Sequence, residues 1–259
     1  MPLEGDLARD GWQVLPFDQR VRDWAGAAHR AAMIVTADPA LQARWLRHGG
    51  TWFVGVDALP NAADGSIGGV AFAGPWADLA DLAAPLHRAQ LSVVHPGYPG
   101  RDPDDTDAAH RFRLTRDAAH LDGLLALGPA RRRHLREPHR IVLGLPLTEH
   151  EPGCSPLVIW QGSARIIRSG FAAAFAGVAP VDWPERDVTE VYQTLRREVF
   201  ARCPRVEVHA RPGQALLMHR LAIHGVAPWT QGAKAPPEGR MFAWFRPLVR
   251  KFGDWLELP

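Results

Sequence analysis

The sequence predicts a mainly β protein, a sandwich or barrel under a helical cover. Three observations predict it. Twenty-three Pro and 24 Gly in 259 residues imply many turns. Helical periodicity is concentrated in the first ninety residues. After that, short apolar runs alternate with turn-rich segments, as in an all-β body.

The elements follow in order. Residues 17–33 carry Val21, Trp24, Ala28 and Ala32 at helical spacing, with Asp18 as N-cap. Residues 38–50 read as a second helix, with Asp38 as N-cap, Pro39 in the first turn and Gly49–Gly50 as the stop. Residues 51–56 read as a strand, 75–89 as a short helix, and the start of QLSVVHPGYPG as a strand that ends at a Pro/Gly turn. The segment 107–123 is expected to hold extended stretches. RIVLGLPL (140–147) and SPLVIWQG (155–162) are strands across a turn, and 186–203 is a helix with Val191, Leu195 and Val199 on one face. VEVHA, ALLMHRLAIHG and GRMFAWFRPLVR (239–250) complete the strands. Residues 1–259 are read as one domain, a helical region of about 1–90 packed on a β core of about 90–250.

Composition is that of a soluble globular chain, 46% hydrophobic and 22% charged. A net charge of +2 argues against a general nucleic-acid binder. No apolar run approaches the ~20 residues of a membrane span. MPLEGDLARDGW lacks the basic start and apolar block of a secretory signal, and two cysteines are too few for a disulfide scaffold. The expected compartment is the cytoplasm.

His120 and Asp122 carry the chemistry. In an extended segment they point to one face, and His-x-Asp supplies two of the three protein ligands of a non-haem Fe(II) site. A third ligand must come from elsewhere in the fold. His224 follows an apolar strand and precedes Gly225, where backbone can approach closely; His219, in the same segment, competes with it. Arg240 opens the last strand and Arg246 lies on its same face. Either guanidinium suits a dicarboxylate. The run RRRHLREPHR (131–140) reads as a solvated basic loop or as a clamp for an anionic substrate. Five arginines there have only Glu137 nearby in sequence.

With these residues in place, the chain resembles the Fe(II)/2-oxoglutarate dioxygenases of the phytanoyl-CoA dioxygenase type over roughly residues 90–248. HLDG, PGQALLMHRLAIHG, LPLTEHEPGCSPLVIWQGSARI and the late Arg of GRMFAWF carry the likeness. The chain departs from that family's pattern at Gln214, where an acid is usual, in the absence of a His after Gly162–Ser163, and in the long spacing from His224 to Arg240. The resemblance implies a double-stranded β-helix of the jelly-roll, cupin-like kind. It implies Fe(II) held by His120, Asp122 and His224, 2-oxoglutarate held by Arg240, and dioxygen as oxidant. It favours His224 over His219 and implies hydroxylation of a small-molecule substrate. The competing readings are a cupin-like metal enzyme that does without 2-oxoglutarate and a non-catalytic β-barrel binding module.

Overall fold

A computed structural model of the chain describes residues 4–77, 82 and 85–258. The strands are β1 (Glu4–Asp6), β2 (Trp12–Leu15), β3 (Leu46–Arg47), β4 (Trp52–Gly55), β5 (Gln90–Val94), β6 (Leu124–Leu127), β7 (Arg132–Leu135), β8 (Ile141–Pro146), β9 (Leu157–Trp160), β10 (Arg205–Val208), β11 (Ala215–His219), β12 (His224–Val226) and β13 (Arg240–Phe245). They form an eight-stranded sheet in the order β1-β2-β11-β8-β13-β5-β4-β3, a three-stranded sheet β10-β9-β12 and the hairpin β6-β7. All of the named strand pairings are antiparallel.

The two faces of the large sheet do different work, as the period of two requires. One face presents Leu91, Val93, Leu143, Leu145, Leu217, Met241 and Phe245. It packs against Val21, Trp24, Ala28 and Ala32 of the helix Gln19–Ala37. Trp24 anchors that layer, its indole N–H donating to the Gly65 carbonyl at 2.9 Å. Each such aliphatic side chain removed from water contributes on the order of 1.5–3 kcal/mol before entropy is charged. The opposite face presents Val142, Leu216 and Met218 to Leu157 and Ile159 of the small sheet. A cavity lies between the sheets, lined by Trp52, Ser92, Met218, Trp244, Leu157 and Val226 among others.

The architecture is mixed helix and sheet, not mainly β. The segment 107–123 is the clearest departure: Asp107–Arg116 is a helix where extended backbone is expected. Thr106 caps it, accepting from Ala109 N–H at 3.1 Å. Asp107 in the first turn and Arg113 and Arg116 in the last complement its dipole. None of its residues is fully buried, so no apolar periodicity announces it. A further helix, Ser163–Ala174, buries Ala164, Ile167 and Phe171. Residues 1–90 supply four strands to the large sheet as well as helices. The helix expected over 75–89 falls in part on residues outside the described ones. Asp18 and Asp38 do cap their helices, and the helix Thr189–Arg202 buries Leu195 and Val199. Among the described residues no helix is long and apolar enough to cross a membrane.

Candidate metal centre

The structure brings His120, Asp122 and His224 together, with ligand atoms of all three within 4.8 Å of one another. The juxtaposition is a backbone event first. His120 N–H donates to the His224 carbonyl at 2.8 Å and His224 N–H to the His120 carbonyl at 3.1 Å. This isolated antiparallel bridge sets the two rings side by side, centroids 4.4 Å apart. β12 is in turn fixed by pairing with β9, where His224 faces Ile159. Leu121 N–H donates to the buried Tyr192 hydroxyl at 3.2 Å.

Two glycines make room for this. A Cβ on Gly225 would meet the Asp117 carbonyl oxygen at 2.0 Å. Gly123 stands at φ +85°, and a Cβ there would meet the Glu137 carbonyl oxygen at 2.2 Å. Upstream, Asp117 is buried and bidentately held by Arg205 at 2.8 and 2.9 Å, while its carbonyl accepts from Val226 N–H at 2.8 Å. Sequence reading missed this anchor, because nothing along the chain links residue 117 to residue 205.

Local chemistry fixes how the three side chains face each other. His120 Nδ1 lies 3.1 Å from the Ala118 carbonyl and His224 Nδ1 3.0 Å from the Ala222 carbonyl. A carbonyl only accepts, so Nδ1 carries the proton and Nε2 the free lone pair in both rings. Both Nε2 atoms face the same oxygen of Asp122, Oδ1, at 3.3 and 3.8 Å. Burial, with His120 alongside, pushes the His224 imidazole down to about 4, so it is neutral at neutral pH. Burial alone would raise the Asp122 carboxyl. His224, His120 and Arg246 beside it outweigh that and hold the group well below the usual range. Two imidazoles and one carboxylate, each His oriented by its own carbonyl, are a donor set that suits a divalent metal with open positions.

The remaining candidates separate cleanly. His219 ends β11 outside the cluster. Its Nδ1 accepts from Leu221 N–H at 3.0 Å and its Nε2 lies 3.1 Å from the Arg168 guanidinium. Burial and two neighbouring arginines push it down to about 3. Arg240 opens β13, lines the cavity and is only 2% exposed. Its guanidinium lies over the Phe242 ring at 4.2 Å, and its Nε has no hydrogen-bond partner among the described residues. Burial pushes it down only to about 10, so it is charged at neutral pH. Arg246 lies instead beside the metal-type cluster, 3.6 Å from Asp122 Oδ2 and hydrogen-bonded to Gln90.

The arginine run does not form a solvated loop. Arg132 and Arg133 lie in the hairpin strand β7, with Arg132 paired to Asp187 and Glu190 and Arg136 to Glu185. Arg133 donates to the Leu124 carbonyl at 3.0 Å. None of the run lines the cavity. The acids that pair it come from residues 185–190, far from the run in sequence, and not from Glu137. Among the described residues one other cluster, His48 with Asp102 and Asp105, is as tight. Arg113 pairs Asp105, and the backbone N–H groups of His48 and Gly49 satisfy Asp102, so it is a closed network.

Neither a protein-family model nor a curated protein matches the chain. Among solved structures it is similar to the non-heme α-ketoglutarate-dependent carbocyclase SnoK from nogalamycin biosynthesis. The identity is 13%, the alignment covers 93% of this chain and 81% of that one, and the TM-score is 0.51. It is also similar to EctD from S. alaskensis, solved with 2-oxoglutarate and 5-hydroxyectoine, at 20% identity, 93% and 73% coverage and a TM-score of 0.46. AviO1 from Streptomyces viridochromogenes Tue57 follows at 15% identity, 95% and 93% coverage and a TM-score of 0.43. At 13% identity the likeness to SnoK is one of fold.

Proposed function

We propose that this chain is an Fe(II)- and 2-oxoglutarate-dependent oxygenase of the phytanoyl-CoA dioxygenase type, built on a double-stranded β-helix, that hydroxylates a C–H bond of a small molecule. One observation carries the reading. Two imidazoles, each with Nδ1 engaged and Nε2 free, converge on one oxygen of a buried carboxylate, in a cavity that also holds a buried guanidinium without an acidic partner among the described residues.

His120 Nε2, His224 Nε2 and Asp122 Oδ1 would take one face of an octahedral Fe(II) and leave three positions open. Arg246, 3.6 Å from Asp122 Oδ2, would leave Oδ1 as the oxygen offered to the metal. Arg240 is the cation for the distal carboxylate of 2-oxoglutarate, a charge-assisted contact at a guanidinium that is only 2% exposed. Bound Fe(II) and 2-oxoglutarate supply oxidation of an unactivated C–H by dioxygen, with 2-oxoglutarate converted to succinate and CO2. The apolar lining from Val142, Leu157 and Met218 keeps bulk water from the reacting positions. A metal enzyme indifferent to 2-oxoglutarate gives no reason for Arg240 to be buried and unpaired, which counts against that alternative.

The test is anaerobic titration of the Fe(II) protein with 2-oxoglutarate. The expected result is a visible charge-transfer absorption that saturates in wild type. In Arg240→Met the half-saturation should rise by roughly 10- to 150-fold, from about 1.5–3 kcal/mol of lost charged hydrogen bonding, while Fe(II) affinity stays close to wild type. No absorption change in wild type, or equal titrations in both proteins, would refute the reading.

A further inference from the structure

The cavity carries more positive charge than the proposed metal and cosubstrate use. Its lining includes one carboxylate, Asp122, and two guanidinium groups, Arg240 and Arg246. A divalent metal adds two positive charges and 2-oxoglutarate two negative ones. Summed over these groups, the filled site would keep a single positive charge. Arg240 faces the cosubstrate, which leaves Arg246. Glu137 also acts on Arg246, but it is half exposed, pairs with His139 at 3.6 Å and lies outside the cavity lining, so water screens it.

Arg246 is built into place. Its backbone N–H donates to His87 Nε2 at 2.7 Å and its carbonyl lies 3.2 Å from His139 Nδ1. The side chain reaches Gln90 through one terminal nitrogen and Asp122 through the other. A guanidinium has five N–H groups in a fork, so these contacts leave donor capacity for another acceptor. Like Arg240 it lines the cavity, and at 21% exposure it is the more exposed of the two.

Two indoles supply the complementary surface. Trp52 is held by its N–H donating to Ser92 Oγ at 2.9 Å. Trp244 stacks on Phe242 at 5.3 Å and 16°, and Gly144 opposite leaves room for its ring, since a Cβ there would meet the indole at 2.3 Å.

We infer that the substrate carries one carboxylate beside a flat apolar body, with Arg246 receiving the carboxylate and Trp52 and Trp244 packing the body. This rests on the metal and 2-oxoglutarate reading above, and the experiment separates the two. Protein is loaded with Zn(II) and 2-oxoglutarate, which turn nothing over, and each binding step is measured by calorimetry. Failure at that stage defeats the cofactor reading. The loaded protein is then titrated with phenylacetate, 3-phenylpropanoate and indole-3-acetate and with their matched amides, at saturating 2-oxoglutarate. At least one acid should bind roughly tenfold or more tighter than its amide, and the preference should collapse in Arg246→Gln. In wild-type protein with 15N-labelled arginine, the Nε–H resonance that Arg246→Lys removes should shift with the acid and not with the amide. Equal binding of acid and amide, no binding by any acid, a preference that survives Arg246→Gln, or a silent Arg246 resonance overturns the inference.

Discussion

Replacing Gly225 by Ala tests whether the site is assembled by backbone contact. The added Cβ would stand 2.0 Å from the Asp117 carbonyl oxygen and 3.2 Å from Ala119 N, where ordinary contact begins near 3.4 Å. Both atoms are backbone, so no side chain can rotate away, and the 117–119 segment must withdraw by more than an ångström. Three hydrogen bonds cross that seam: Val226 N–H to Asp117 at 2.8 Å, and the His120–His224 pair at 2.8 and 3.1 Å. Losing most of them at about 0.5–1.5 kcal/mol each, with the strain of overpacking, gives a destabilisation of about 3–5 kcal/mol. That is within the 5–15 kcal/mol that keeps a typical domain folded, so a folded variant should be recoverable. His120 moves with the withdrawn segment, and Zn(II) affinity should fall by roughly 10- to 100-fold. The assays are chemical denaturation and calorimetric Zn(II) titration. Gly26→Ala serves as control, since its Cβ would meet only Arg30 Nη1 at 3.8 Å on an exposed helix turn. A Gly225→Ala protein with wild-type stability and wild-type Zn(II) affinity would refute the reasoning.

Three further outcomes follow from the same geometry. His224→Ala should lose most Zn(II) affinity. His219→Ala should keep it and lose about 1–3 kcal/mol of stability through its unpaired neighbours, as equilibrium unfolding would show; the reverse pattern would move the centre to His219. Arg205→Met strips the partner from the buried Asp117 carboxylate and should cost about 1–3 kcal/mol, at the low end for a buried pair because Arg205 is itself partly exposed; it should also weaken Zn(II) binding, and stability without a metal effect would detach Asp117 from the site. Arg132→Ala removes a surface pair and should change stability by less than about 1 kcal/mol, with the acid-over-amide preference at the cavity unaltered in the calorimeter.

What could be read from the sequence is what local pattern encodes. Asp18 and Asp38 announce their helices because capping is a contact within three residues. His120 and Asp122 announce themselves by spacing, and the Gly after His224 by the close approach it permits. The helix Asp107–Arg116 escapes because none of its residues is fully buried and Phe112 alone packs against the core. Ser163–Ala174 was legible and overlooked, since Ala164, Ile167 and Phe171 hold the helical period after a strand-ending Gly. The strands β1 and β2 are too short, and too dependent on β11, for an isolated pattern to mark them.

Charge is where linear reading misleads most, and the two arginine groups show why. Counted along the chain, residues 131–140 hold an excess of cations with one nearby acid, which suggests a surface waiting for an anion. In space, Arg132 and Arg136 meet Asp187, Glu190 and Glu185, acids about fifty residues away that the hairpin β6-β7 delivers to them. At exposed positions such pairs are screened and contribute little either way. Arg240 and Arg246 look unremarkable in sequence, two arginines six positions apart, yet the period of two along β13, with Arg246 just past its end, places both on the cavity face. There the lining offers one acid against two cations, in a region where burial keeps the imbalance from being screened. An anion is therefore expected where uncompensated charge is enclosed, not where charged residues are most numerous, and that distinction exists only once the strands are paired.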